Sequence, residues 1–223
     1  MTVAVWLGTA PPVRTIRWLD GALHAAMKFA KLDDPLLAVA AGDPTWLDLA
    51  ADRAGRAGVP AAGISINLQL DYLGWAQVMA AVARQINARI VIVDEASRPE
   101  RFPEVAALAE LLEAAQLTHV VSLAPDGDAV HASRVHGTVL QAVRITGPAV
   151  IGVRIPGAPI EEYPTPTPSA SMRRLDLNSL GLDPVVLGHR ALPPRVGGEP
   201  RRTLERVAEH LAVHVVPRRG GAY

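Results

Sequence analysis

The chain has 223 residues, 49% of them hydrophobic and 20% charged, which is enough to bury a substantial core and too apolar for a chain that stays disordered. Lys+Arg and Asp+Glu both number 22, so no net charge draws the chain to nucleic acid or to an anionic membrane. Cysteine is absent, which removes disulfides, thiolate nucleophiles, cysteine-ligated zinc and iron–sulfur clusters, and suits a cytoplasmic address.

The opening MTVAVWLGTAPP is apolar, has no basic leader and is too short to span a membrane, so it reads as a first strand and not a signal peptide. Runs rich in Val, Ile and other apolar residues at Val3–Leu7, Leu36–Ala40, Ala61–Ile66, Ile90–Asp94 and His119–Leu123 alternate with segments of helical spacing. That alternation predicts an α/β fold, a Rossmann-like three-layer sandwich with helices on both faces of a mostly parallel sheet. Within GDPTWLDLAADRAGRAG, Asp43 is placed to cap, Pro44 suits a first turn, Trp46, Leu49, Ala50 and Ala57 share a face, and Gly58 stops the helix. From about Tyr72 to Asn87 a second stripe joins Trp75, Val78, Met79, Val82 and Ile86.

After Leu123, turn signals at Asp126-Gly127, His136-Gly137 and Gly147-Pro148 separate period-two segments, which predicts antiparallel strands extending the sheet. The prolines between Pro156 and Ser171 forbid a helix or a central strand and predict an exposed extended arm. A strand-like VVLGHR follows, then the Pro/Gly-rich link LPPRVGGEP and an amphipathic helix using Leu204, Val207, Ala208 and Leu211. The expected organisation is a nucleotide-binding-like core at 1–155, a recognition arm with a return strand at 156–190, and a linker with a helix at 191–223 that packs on a partner subunit.

Common catalytic signatures are missing: there is no GxSxG, Walker A sequence, GxGxxG after a strand, or HExxH. His210 and His214 lie four apart on the last predicted helix without a third ligand, and His131 and His136 fall on opposite faces of one strand, so no metal site is expected. In an open parallel sheet, ligands sit beyond the carboxyl ends of the strands. Those ends are Gly8-Thr9, Gly42-Asp43, Asn67 and Asp94-Glu95. Gly8 and Gly42 would let a ligand approach the backbone, and the helix starting at Pro44 offers free N–H groups, although glycines here also serve simply to turn the chain. A carboxylate at Asp43 or Asp94 repels a phosphate placed against it.

The order and spacing of several segments resemble the β subunit of electron transfer flavoproteins. WLDGALHAAMKFAK resembles the first helix of that family, LLAVAAGDPTWLDLAADRAGRAGVPAAG its second strand–helix unit, and GPAVIGVRI its long strand before the recognition arm. RRLDLNSLGLDP resembles its Leu-Gly-hydrophobic-Asp turn, and LPPRVGGEPRRTLERVAEHL its C-terminal arm and helix. The resemblance implies an electron-carrier subunit and not a self-sufficient enzyme: an α-like partner holds most of the FAD, this chain shields part of it, and electrons arrive from a flavin dehydrogenase or other redox protein. A non-redox adenine-nucleotide-binding or structural α/β domain is the alternative of a different class. A free-standing hydrolase or ligase of the related nucleotide fold is disfavoured by the lack of a Gly-rich phosphate loop.

Carried over by position, the resemblance makes Trp18 a flavin neighbour, although Ile16 and Arg17 replace the Asn and Pro the family has before its aromatic residue, and TAPPVRTIR is shorter than the usual hairpin. Gly8, Ala41 and Gly42 match backbone positions lining the family's structural AMP. AMP itself is expected to be absent: in VIVDEASRPERFPEV, Pro103, Glu104 and Val105 stand in the Gln-Thr places of the phosphate loop, and only Arg98 and Arg101 remain as phosphate contacts. In the arm, Thr165 or Thr167 stands where the family has its leucine. Met172 with the basic Arg173 and Arg174 is therefore expected to meet the electron-donating partner, one different from the usual acyl-CoA dehydrogenases.

Overall fold

A computed structural model describes residues 2–7, 21–30, 35–67, 70–95, 102–127, 129–155 and 172–189. Five apolar segments alternate with four helices in the first half: β1 (Val3–Trp6), α1 (Gly21–Ala30), β2 (Leu36–Gly42), α2 (Pro44–Arg56), β3 (Ala61–Ser65), α3 (Tyr72–Gln85), β4 (Ile90–Asp94), α4 (Phe102–Leu111) and β5 (Ala115–Asp126). Strands β6 (Ala129–His136), β7 (Val139–Ile145), β8 (Ala149–Val153) and β9 (Arg173–Leu175) and the short helix α5 (Pro184–Gly188) complete the described part. All nine strands join one sheet in the order β7-β6-β5-β8-β4-β1-β2-β3-β9. This is the expected three-layer α/β sandwich.

The central strands are buried on both faces because each alternates its side chains between two helical layers. Val3 and Val5 of β1 pack with Leu23 of α1 and with Leu47 and Ala50 of α2, while Ala4 and Trp6 face Trp75, Val78 and Val82 of α3 and Leu108 of α4. On the second face Trp6 and Trp75 meet as a tilted aromatic pair with centroids 6.2 Å apart.

Local signals set the helix ends. Asp43 caps α2 by accepting the Trp46 amide at 3.0 Å, and Asp71 caps α3 by accepting the Gly74 amide at 2.7 Å. Beyond α2 the chain reverses at Gly58, whose φ of +67° costs a glycine little.

Two expectations are corrected. Gly127 and Gly137 do turn the antiparallel β5–β6–β7 meander, but the segment after Gly147-Pro148 leaves it: β8 runs parallel between β4 and β5. All five residues of AVIGV are buried, so a strand of this composition is placed inside the sheet, where both faces are covered, and not at its edge. VVLGHR is not a strand; Asp183 accepts the Val185 amide at 2.8 Å and Pro184 opens α5, a helix start that outweighs the β-branched pair. The strand in this region is instead β9, parallel to β3 at the sheet edge.

The chain divides into two compact units, 1–192 and 193–223, and the second lies outside the described residues, as do the Pro156–Ser171 arm and the His210/His214 pair. No helix among the described residues is long and apolar enough to cross a membrane.

Candidate functional site

The chain steps from β1 through β2 to β3 in one direction and then returns across β1 to β4, carrying its helices to the other face. This reversal makes the carboxyl ends of β1 and β4 the ligand edge of the sheet. Of the residues expected there, Gly8, Trp18, Arg98 and Arg101 lie outside the described residues. Ala41 is fully buried and turns its methyl group into the α3 layer. A methyl group at Gly42 would stand 2.7 Å from Cδ1 of Trp46, and the Gly42 carbonyl accepts the Ile66 amide at 3.0 Å. Gly42 thus admits the Trp46 ring as well as turning the chain.

The end of β4 holds a cluster that the sequence does not announce. Asp94 and Glu95 are both buried, Glu95 to 2% exposure. The Glu95 amide donates to the Val153 carbonyl at 2.8 Å, which continues the β4–β8 ladder and turns the side chain across β8. Space for it exists because residue 152 is glycine: a methyl group there would lie 2.9 Å from Glu95 Cγ and closer still to Cδ and Oε1. On the far side, β5 carries one extra residue between Leu117 and Val120, and in that bulge His119 takes a φ of +60°. The amide so turned donates to Glu95 Oε2 at 2.9 Å, and Arg154 Nε lies 3.9 Å from the same oxygen. Oε1 is buried, and among the described residues it has no hydrogen-bond partner.

Burial pushes the Glu95 carboxyl up from its ordinary range, with the His119 amide first and then Arg154 working against the shift and Asp94 adding to it. Partial burial, followed by the charges of Arg154 and Arg134, holds the His119 imidazole below its usual range. A raised acid, a histidine and an arginine at a sheet edge form the kind of group that often marks a functional site. Among the described residues no group of three or more ligating side chains is placed to hold a metal. His131 serves another role: it and Arg144, cross-strand neighbours on β6 and β7, both bond Asp126 Oδ2 at 2.9 Å.

At the lateral edge of the sheet formed by β9, Met172 packs over Gly63 and Leu47. Arg174 is held by Asp48 at 3.2 Å, and Arg173 is exposed on β9. The structure therefore keeps these three side chains apart from the Glu95 cluster. Signals for that cluster were partial: two acids ending an apolar strand, and a glycine inside the buried run AVIGV, but nothing in the sequence marks the bulge at His119.

The model of the electron transfer flavoprotein domain matches residues 20–174, more than two thirds of the chain. The chain belongs to the electron transfer flavoprotein domain family. A search of curated proteins returns no match. Members of this family are generally associated with flavin. Buried Asp94 and Glu95 end β4, Glu104 stands in the first turn of α4 and Val105 is buried, while the loop between β4 and α4, with Arg98 and Arg101, lies outside the described residues.

Proposed function

We propose that this chain is the β-like subunit of an electron transfer flavoprotein heterodimer, shielding part of the FAD held by an α-like subunit and relaying electrons from a flavin dehydrogenase or another redox protein. The family match across the α/β core carries this reading. A second observation favours a subunit. On the antiparallel extension, Val135 and Leu140 stand opposite each other on β6 and β7 and are 42% and 65% exposed, an apolar pair suited to burial against a partner.

FAD, when bound, supplies the electron-accepting chemistry; this chain excludes water from one side of it and offers docking surfaces. In the proposed arrangement Trp18 lies beside the flavin. Met172 packs over Gly63 beside β9, the exposed Arg173 presents positive charge to the electron donor, and Arg174 joins that contact by exchanging its bond to Asp48 for one to the donor. AMP is not part of the assembly, and its release on denaturation would contradict that element alone.

Co-expression with an FAD-holding α-like subunit, followed by an absorbance spectrum of the purified complex, tests the reading. A yellow heterodimer that releases FAD on denaturation is expected. A colourless chain that stays monomeric beside the α-like subunit would sink the redox role and leave a nucleotide-binding or structural domain.

A further inference from the structure

Glu95 is a buried acid that the redox reading does not use, and its surroundings are built around it. Features from β5, from β8 and from the residue just after β8 converge on one carboxyl. Gly152 on β8 leaves the space, the β5 bulge turns the His119 amide toward it, and Arg154 brings a guanidinium to 3.9 Å. An N–H turned out of a ladder by a left-handed residue, next to an arginine, is the chemistry that recognises a phosphate or carboxylate oxygen.

We propose that Glu95 is an internal ligand: its carboxyl occupies an anion-recognition pocket formed by the His119 amide, Arg154 and the bare face of Gly152, and keeps that pocket closed to external phosphate. The bond to His119 at 2.9 Å and the 2% exposure of Glu95 show how completely the side chain fills the place. Among the described residues Oε1 has no hydrogen-bond partner, so the donors of the pocket meet Glu95 at Oε2. Under this assignment the donors beside the end of β4 are present but taken by Glu95.

The assignment does not depend on the flavin reading, because it is read in the full-length chain alone. Inorganic phosphate is titrated calorimetrically, and by thermal shift, into the wild type, Glu95→Gln, Glu95→Ala and Glu95→Ser. Gln keeps the volume and an acceptor for the His119 amide, so it and the wild type should not respond. The Ala and Ser variants should bind phosphate at least roughly tenfold more tightly than the wild type. Adding Arg154→Met to Glu95→Ala should abolish the gain. AMP in place of phosphate distinguishes a nucleotide phosphate from the free ion, and binding of either by the opened variants alone supports the pocket. Folded Ala or Ser variants that bind neither would overturn it, as would wild-type protein that binds as well as they do. Should neither small variant fold, amide exchange in the wild type decides: a slowly exchanging His119 amide, unmoved by phosphate, is required, and exchange at the rate of an open loop refutes the assignment.

Discussion

Replacing Gly152 by Ala tests how tightly Glu95 is held. The added methyl group would meet Cγ at 2.9 Å and the carboxyl group closer still, so the distal half of Glu95 must leave. Overpacking of this kind costs about 1–3 kcal/mol, and loss of the bond from the His119 amide to a carboxylate costs a further ~1.5–3 kcal/mol. Release of the acid from burial offsets part of this, which leaves a net loss of roughly 2–4 kcal/mol for Gly152→Ala. In a Glu95→Ala background the obstacle is gone, and all three nearest atoms to the methyl group vanish or retreat. There Gly152→Ala should be neutral or stabilising by up to about 0.5 kcal/mol, because alanine loses less backbone entropy in a strand than glycine does. Urea unfolding of the four proteins of the cycle, followed by circular dichroism, yields the coupling directly. The reasoning fails if Gly152→Ala costs as much without Glu95 as with it.

The raised Glu95 carboxyl predicts a pH dependence. An acid bound more tightly to its proton in the folded state adds stability that is complete below its unfolded value near 4.5 and is lost as pH rises through the folded value. Glu95→Gln, which mimics the protonated form, should therefore gain on the wild type as pH rises from 4 to 8, and parallel melting curves across that range would refute it. Asp71→Ala removes the acceptor of the Gly74 amide and should cost about 1 kcal/mol in urea unfolding, while Asp71→Ser recovers most of it. Gly63→Ala should destabilise by crowding Met172, whose Cγ lies 3.1 Å from the new methyl group, and Met172→Ala should relieve that cost. Equal penalties in both backgrounds would show that Met172 is not seated there. Asp126→Asn weakens the bonds from Arg144 and His131, which hold the Asp126 carboxyl below its usual range, and amide exchange should quicken in the β6–β7 hairpin but not in β1 or β4.

Much of the core was legible because its signals are local. Apolar runs such as VAVW and IVIVD declare strands buried on two faces, and Asp43 followed by Pro44 declares a helix start whatever the rest of the chain does. The turns at Gly127 and Gly137 were readable for the same reason: both sit at positive φ, where glycine is at ease. Family membership rested on the order of such segments, which survives the loss of any single motif.

What only the tertiary structure decided depends on pairing between distant strands. AVIGV reads equally well as the last strand of a meander or as a central one, and its place between β4 and β5 follows from which neighbours can cover both of its faces. Asp94 and Glu95 were visible as acids ending a strand, but not as buried ones. Their burial depends on Gly152 lying beside β4 and on one extra residue in β5 that turns the His119 amide inward. By itself the sequence determined a parallel α/β core, its helix caps and its tight turns, because each of these arises within a few neighbouring residues. The Glu95 pocket was decided by strand register, which exists only once segments far apart in the chain have been brought side by side.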